Sequence, residues 1–315
     1  MTGPWQLFVD DYLVAEKTDV VRSYHPFTKY AGNPVLSPNK SWEGRRSYLY
    51  GTVLPSEDGS GYRMWYQAYN EKGDLGGRRG YVNAYATSKD GINWKKPNRG
   101  IYRWRDSTRN NMFLARKHSP GDDHNPQILH TPWEKDPRKQ YKMITFVYAA
   151  NRRAPSDEGY WGSYSPDGIH WTDVVRNPVL PDTGDVGNFN WDPHRKRYMA
   201  TVKIWTTVPR GEGFRRCIGT TSTRDFEKWP HPELVLVPDE IDDSMHPGRW
   251  GVQFYGLSSF AYESGYIGLL WIFRTGSGGQ IYVQLVSSRN GIHWTRVAPT
   301  NGMRPAILPN GPDGS

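Results

Sequence analysis

A seven-residue phrase occurs four times along this 315-residue chain. The copies occupy residues 88–94, 165–171, 223–229 and 288–294, and their tryptophans are 77, 58 and 65 residues apart. Three copies contain Asp-Gly or Asn-Gly, pairs that tight hairpin turns favour because these residues tolerate positive φ angles. Repetition on this scale is typical of a repeat architecture, and each copy predicts a strand, a turn and a packed tryptophan.

A second phrase accompanies the first at a nearly constant distance. Strand-like runs begin at Tyr62, Tyr141, Tyr198 and Tyr266, each 28 to 32 residues before the tryptophan of its copy. Together with the strands that precede and follow each run, one copy contains four antiparallel strands. The pattern predicts an all-β fold made of β-propeller blades.

The repeat predicts a single β-propeller domain over residues 1–315. Its parts are N-terminal strands in 1–42, blade one in 43–104, blade two in 105–181, blade three in 182–238, blade four in 239–300 and the start of a missing fifth blade in 301–315. Within the first part, residues 7–14 and 20–24 are expected to form outer strands beside a gap.

Composition and charge exclude several classes of protein. The formal net charge is +8, but without a lysine-rich tail or a nucleic-acid-binding motif no nucleic-acid partner is expected. No apolar run reaches the roughly 18 residues of a membrane span, and no secretory signal is visible, which predicts a cytoplasmic protein by default. The single cysteine, Cys217, excludes an internal disulfide. The histidines lack metal-ligand spacing, so neither a metal nor another cofactor is expected.

Candidate functional residues cluster at the entrances of the inner strands, which share one face of a propeller. We predict that Asp123 and Asp185 form an acid–base pair, with His124 as an alternative proton donor. The predicted substrate-binding residues are Trp42, Arg46, Asp122, Asn125, Asn188, Gln253 and Tyr255.

These residue types suit the hydrolysis of a glycosidic bond. One carboxyl group must protonate the leaving oxygen, and another must activate water or attack carbon. Amide and phenol groups bind sugar hydroxyls, and an indole such as Trp42 stacks on a sugar ring. The alternative for each acid is that it caps a turn and faces water.

The aspartates of the repeated phrase have a different interpretation. Asp90, Asp167 and Asp225 lie in turns on the opposite face, and the fourth copy has Asn290. Because an amide cannot replace a carboxylate in acid–base chemistry but can replace it in a turn, we predict that these residues are structural.

Basic residues are numerous in the loops between the second and third strands. The set comprises Lys72, Arg78, Arg79, Arg152, Arg153, Arg210, Arg215, Arg216 and Arg274. The same loops contain five acidic residues, fewer than the nine basic ones. Because arginine binds carboxylate and sulfate groups well, the loops favour an anionic sugar polymer, with ordinary surface charge as the alternative.

The chain resembles the five-bladed β-propeller glycoside hydrolases of the invertase, levansucrase and arabinanase type. The resemblance rests on the blade pattern, on Asn33-Pro34-Val-Leu before blade one, and on the Ser-x-Asp-Gly-x-x-Trp phrase. The opening Leu7-Phe-Val-Asp-Asp-Tyr-Leu-Val is similar to a poorly characterised hydrolase-like branch. The resemblance implies a five-bladed propeller, of which this chain contains four complete four-stranded blades.

The family pattern is not complete in this chain. The resemblance implies an aspartate at the entrance of blade one, where residues 47–53 contain no acid. The leading hypothesis is a glycoside hydrolase-like protein that cleaves a carbohydrate, with an acidic oligo- or polysaccharide as the favoured substrate. The alternatives are a non-catalytic carbohydrate-binding propeller and a phosphorylase-type propeller whose arginines hold phosphate.

Overall fold

A computed structural model describes most of the chain. The described residues are 4–71, 79–116, 122–149, 157–207, 213–245, 251–275, 279–299 and 302–310. They divide into two compact units. The first unit contains residues 30–185 and 226–229, and the second contains residues 1–29, 186–225 and 230–315.

Blade one belongs to the first unit. Its strands are β1 (Arg46–Pro55), β2 (Tyr62–Tyr69), β3 (Tyr81–Ser88), β4 (Trp94–Lys95) and β5 (Met112–Leu114). The sheet runs β1-β2-β3-β4, and β5 also pairs with β3. Blade one therefore extends past the predicted boundary at 104, because the chain returns to the free end of β3 after the tryptophan turn.

Blade two completes the first unit. Its elements are β6 (Asp123–His130), a short 3₁₀ helix (Pro137–Lys139), β7 (Tyr141–Val147), β8 (Gly159–Ser165), β9 (Thr172–Asp173) and β10 (Leu180–Pro181). The order is β6-β7-β8, and both β9 and β10 pair with β8. The outer edge thus consists of two short strands, as in blade one.

Blades three and four form most of the second unit. Blade three contains β11 (Gly187–Asp192), β12 (Arg197–Thr207), β13 (Phe214–Thr223) and β14 (Glu233–Leu236). The helix α1 (Glu240–Met245) leads to β15 (Val252–Tyr262), β16 (Gly265–Arg274), β17 (Gln280–Ser288), β18 (Trp294–Arg296) and β19 (Ala306–Leu308) of blade four. Because β19 pairs with β17, residues 306–308 belong to blade four and do not start a fifth blade, which corrects the prediction.

The predicted N-terminal strands are absent from the described residues 4–45, where Gly44 forms only an isolated bridge. Val21 in the second predicted strand is 94% exposed. Side chains hold this segment in place of a strand ladder: Arg22 Nε donates to the Phe8 carbonyl at 2.9 Å, and Arg289 pairs with Asp10 at 2.5 Å. The segment also makes isolated backbone hydrogen bonds, such as that from the Phe27 N–H to the Ile307 carbonyl at 2.7 Å, but these do not continue into a ladder.

The repeated tryptophans pack as expected in part. Trp229 and Trp294 are buried, and Trp294 joins a core shared by blades three and four. Trp171 is half-buried against a core shared by blades one and two. Trp94 packs on a cluster made of blade one and the segment before it, so it does not lie between blades.

The Asp-Gly turn of blade two docks onto blade one. Trp65 Nε1 donates to the Gly168 carbonyl at 2.6 Å. Arg63 donates to the Asp167 carbonyl and also to Tyr141 Oη at 2.7 Å. The turn is thus part of the contact between blades as well as a link between strands.

Inside that turn, the Asp167 carboxylate accepts the backbone N–H groups of Ile169 at 2.8 Å and His170 at 2.9 Å. In blade four, Asn290 Oδ1 accepts the two corresponding N–H groups, each at 2.9 Å. An amide oxygen therefore performs the same task as the carboxylate, in agreement with the structural role predicted for Asp167.

Exchanging the acid and the amide in these turns should change how stability depends on pH. Burial raises the pKa of Asp167, but hydrogen bonds from His170, Ile169 and Ser165 outweigh it and lower the pKa to about 2. Its stabilising effect is then complete above the unfolded pKa of about 3.9 and is lost as the pH falls towards 2. Asp167→Asn should flatten the fall in urea midpoint over that range, and Asn290→Asp should steepen it. Parallel curves for both variants and the unmodified protein would contradict this assignment.

Filling the space at Gly168 should destabilise the chain more than filling the space at Gly91. Both glycines have φ +75°, so alanine carries the same backbone strain at either position. A Cβ at Gly168 would lie 2.9 Å from Trp65, whereas at Gly91 the nearest atom is 3.8 Å away. Gly168→Ala should therefore cost about 1–3 kcal/mol more than Gly91→Ala. Urea denaturation of both variants measures the difference, and equal losses would show that the docked turn does not hold the blades.

Candidate functional site

A cavity of about 410 Å³ opens within the first unit, at the ends of strands from blades one and two. Its lining residues are Tyr69, Arg79, Tyr81, Asp122, Tyr148, Ala149 and Glu158. We call it the Tyr148 cavity. It combines aromatic surface, one guanidinium and two carboxylates, a combination suited to a polar ligand with flat apolar faces.

The aromatic wall comes from strand ends. Tyr69 is the last residue of β2, Tyr81 is the first of β3, and Tyr148 follows β7. The rings of Tyr81 and Tyr148 are stacked with centroids 6.2 Å apart, and Tyr81 stacks on His124 at 4.6 Å. Tyr50 approaches the other side of the His124 ring at 4.9 Å.

His124 is fixed in orientation behind this wall. Its side chain is buried, and Nδ1 lies 2.6 Å from Gln67 Oε1. Because an amide oxygen can only accept, Nδ1 carries a proton and donates it to Gln67. In the neutral form of this tautomer, Nε2 is the acceptor. The β6 register shifts just after His124, where Asn125 has φ +54°.

Each carboxylate of the cavity accepts a backbone N–H. Asp122 Oδ1 accepts from Arg79 N at 3.0 Å, and Glu158 Oε2 accepts from Ala149 N at 3.1 Å. Each bond holds its carboxylate in a fixed orientation.

Tyr148 connects the cavity to Asp185, because its hydroxyl donates to Asp185 Oδ2. Burial, followed by the charge and hydrogen bond of Asp185, raises the pKa of Tyr148 well above its usual value. The phenol therefore stays protonated and acts as a donor. Asp185, one of the predicted catalytic residues, thus contacts a residue that lines the Tyr148 cavity without lining it itself.

Arg79 supplies the positive charge of the cavity. Its guanidinium carbon lies 3.8 Å from the centroid of the Tyr148 ring, a distance at which cation–π attraction is favourable. Among the described residues no carboxylate forms an ion pair with Arg79. The guanidinium is thus held by a ring face, with its N–H edge available to an anionic group.

Asp123, predicted as half of an acid–base pair, lies in a buried environment outside the lining of the Tyr148 cavity. Its side chain is 1% exposed and forms an ion pair with Arg116, which also binds Asp173 at 2.8 Å. Burial raises the pKa of the Asp123 carboxyl despite the opposing effect of Arg116. Since side chains alternate along a strand, Asp122 and His124 lie on the cavity side and Asp123 on the other.

The structure also separates two predicted binding residues from the Tyr148 cavity. Trp42 packs on the core of blade one and its Nε1 donates to Asn111 Oδ1 at 2.8 Å. Arg46, at the start of β1, is exposed to solvent. Neither residue lines the cavity, so the prediction that they contact the same ligand as Asp122 has no support there.

Asn125 is buried in the first unit, where its Oδ1 accepts a hydrogen bond from Gln127 at 2.8 Å. Three further predicted residues belong to the second unit. Asn188 Oδ1 accepts the Ser259 N–H at 2.9 Å, which ties β11 to β15. Gln253 is buried and accepts a hydrogen bond from Arg216. The Tyr255 ring packs against Phe273 at 5.4 Å. Gln253 and Tyr255 therefore form a second polar and aromatic cluster with Arg216.

A larger cavity of about 580 Å³ also belongs to the second unit. Its charged lining groups mostly bind one another or a neighbouring arginine: Arg215 pairs with Asp243, and Asp239 pairs with Arg304 at 2.6 Å. Because these charges are already matched, the cavity offers less for recognition than the Tyr148 cavity.

Of the predicted basic set, Arg79, Arg215, Arg216 and Arg274 are described. Lys72, Arg78, Arg152, Arg153 and Arg210 lie outside the described residues. Sequence reasoning missed Tyr69, Tyr81 and Tyr148. Their signal was their place at strand ends that flank the same loops as the arginines.

Two further features are absent from the described part of the chain. No group of three or more His, Cys, Asp or Glu side chains there could hold a metal ion. No helix in the same part of the chain is long and apolar enough to cross a bilayer.

Solved structures share this fold at low sequence identity. A thermostable family-43 glycoside hydrolase is 11% identical with a TM-score of 0.54, covering 83% of this chain and 73% of that chain. A glycosyl hydrolase from Bacteroides ovatus is 14% identical with a TM-score of 0.57, covering 87% and 81%. An N-acetylgalactosamine deacetylase from F. plautii, in complex with blood group B trisaccharide, is 13% identical with a TM-score of 0.58, covering 93% and 76%.

The chain has the fold of the five-bladed β-propeller glycoside hydrolases. Its described residues form four of the blades, which confirms the predicted all-β propeller. No family model and no curated protein matches the sequence. The likeness therefore establishes the fold, and the reaction must be argued from the site.

Replacing the two neighbouring aspartates should separate stability from cavity chemistry. Asp123→Asn leaves Arg116 buried with one of its two carboxylates and should lower the free energy of unfolding by about 3 kcal/mol. Asp122→Asn keeps the oxygen that accepts the Arg79 N–H and should change stability by less than about 1 kcal/mol. Chemical denaturation compares the two, and a reversed order would show that Asp122 is the structural residue.

Proposed function

We propose that this protein is a carbohydrate-active propeller that hydrolyses a glycosidic bond in an acidic oligo- or polysaccharide bound at the Tyr148 cavity. The observation that carries the proposal is the lining of that cavity. Three tyrosines, Arg79 and the carboxylates Asp122 and Glu158 meet in a space of about 410 Å³, which matches the volume of small-ligand sites.

The tyrosine wall supports binding of a sugar. Pyranose rings have apolar C–H faces that pack on aromatic rings, while their hydroxyls need donors and acceptors at the rim. Tyr81 and Tyr148 present stacked rings, and Asp122 and Glu158 keep a second carboxylate oxygen for hydroxyl groups. A structure with the same fold holds a blood group B trisaccharide, which adds support for a carbohydrate ligand.

The carboxylates on either side of Tyr148 supply the proposed chemistry. Asp122 lines the cavity, and Asp185 receives the Tyr148 hydroxyl. Hydrolysis needs a general acid at the leaving oxygen and a carboxylate that activates water or attacks carbon. Because Asp185 accepts the Tyr148 hydroxyl, we assign it the role of base or nucleophile. Asp122 takes the role of acid.

Arg79 supports an acidic substrate. Its guanidinium is oriented by the Tyr148 ring at 3.8 Å and forms no ion pair with a described carboxylate. A uronate or sulfate group on the sugar would complete this cation with charge-assisted hydrogen bonds. A neutral sugar would leave the guanidinium without that partner.

The proposal is tested by measuring the reducing ends released when the protein is incubated with a polyuronate, a sulfated galactan or a neutral fructan. An acidic polymer should be cleaved, and Asp122→Asn and Asp185→Asn should each lower kcat about 10²- to 10⁴-fold, the usual contribution of general acid–base catalysis. Arg79→Gln should mainly raise KM for the acidic polymer. Asp90→Asn, which changes an acid in a turn, is the matched control and should retain activity.

Two outcomes favour the alternatives. Binding of an acidic sugar without any product would support the non-catalytic propeller, for which the burial of Asp123 is a specific observation. Product formation only in the presence of phosphate would indicate a phosphorylase-type reaction. Cleavage that survives both Asp122→Asn and Asp185→Asn would remove this cavity as the catalytic site.

A further inference from the structure

In the second unit, Arg216 connects blade three to blade four. It projects from β13, is half-buried, and its Nη1 donates to Gln253 Oε1 on β15. The guanidinium carbon lies 5.9 Å from the ring centroid of Tyr255 and 5.8 Å from that of Phe273. Arg216 therefore lies against two aromatic rings, with a neutral amide as its polar partner.

The charge of Arg216 is not matched in the way that other arginines of this unit are matched. Arg195, Arg215, Arg289, Arg296 and Arg304 each form an ion pair with an aspartate. For Arg216, no carboxylate lies within ion-pair distance in the part of the chain that the structure describes. An amide oxygen satisfies one N–H group but does not neutralise the cation, which therefore remains available to an external anion.

The surroundings of Arg216 hold it in one orientation. Gln253 is buried and fixed in the ladder opposite Phe273, and the Phe273 and Tyr255 rings are 5.4 Å apart. The hydrogen bond and the rings restrict the rotamers of Arg216 before any ligand arrives. A preorganised guanidinium loses less conformational entropy on binding than a free surface arginine.

We propose that Arg216, Gln253 and Tyr255 form an anion-binding site that recognises the carboxylate or sulfate group of an acidic glycan. Arg216 binds the oxyanion, the Gln253 amide donates beside it, and the Tyr255 ring contacts the sugar face. The anion site follows from the second unit alone, and its assignment to a glycan rests on the proposed function. A free inorganic anion has the same chemistry and is separated from the glycan by experiment.

Calorimetric titrations with an oligogalacturonate, a neutral oligosaccharide and inorganic sulfate test the proposal. Arg216→Gln should weaken binding of the oligogalacturonate about 10- to 100-fold, the loss expected for a hydrogen bond to a charged group. It should leave binding of the neutral sugar unchanged. Arg197→Gln is the matched control, because Arg197 bonds only Ser222 Oγ, at 3.3 Å, among the described residues and the variant loses the same charge.

Binding is measured without turnover, so the result does not depend on whether the Tyr148 cavity is catalytic. Sulfate binding that is lost in Arg216→Gln, without any uronate binding, supports the anion site and identifies a free anion as its ligand. Equal weakening by Arg197→Gln, or unchanged affinity for both anionic probes in Arg216→Gln, overturns the proposal. If Arg216→Gln fails to fold, Arg216→Lys replaces it, because lysine keeps the charge but lacks the paired N–H groups of the guanidinium. Unchanged binding by Arg216→Lys would then overturn the role of the guanidinium.

Discussion

The contact between the phrase turn of one blade and an arginine of the preceding blade is the interaction on which this structure depends. In the first unit, Arg63 and Trp65 bind the carbonyls of Asp167 and Gly168. In the second unit, Arg195 Nη2 lies 3.1 Å from the position that a Cβ on Gly291 would occupy. In both units, the repeated phrase of the sequence therefore forms part of the contact between neighbouring blades. The glycine of the phrase is required for two reasons: its φ is positive, and side chains of the preceding blade lie too close to leave room for a Cβ.

Two buried amide side chains fix the geometry of the Tyr148 cavity. Gln67 and Asn83 both donate to the Asp123 carbonyl, at 3.0 and 3.2 Å, which fixes the first residue of β6. Once that carbonyl is fixed, strand alternation directs Asp122 and His124 to one side and Asp123 to the other. The same ladder thus separates a buried ion pair from the residues that face the ligand.

Local patterns were sufficient to predict the blades, because a turn and a strand period are encoded within a few residues. Which of three consecutive polar residues faces the cavity depends on the register with β7, and a bulge after His124 alters that register. The sequence alone therefore could not show that Asp123 pairs with Arg116 while Asp122 lines the cavity. The tyrosines were missed because an aromatic residue at a strand end looks the same in sequence whether it packs or binds. A deacetylase and glycoside hydrolases share this fold, so the blades alone cannot specify a reaction.

Three of the four blades divide their outer edge between two short strands that pair with the two ends of one partner. In blade one these are β4 and β5, with residues 96–111 between them. The chain leaves the sheet and returns to it at the perimeter, and buried contacts hold both ends of this excursion: Lys96 pairs with Glu43 at 2.7 Å, and Asn111 donates to Tyr66 Oη at 2.9 Å. Within this excursion residues 105–109 are exposed, so a fluorophore or an affinity tag inserted there would leave those buried contacts intact.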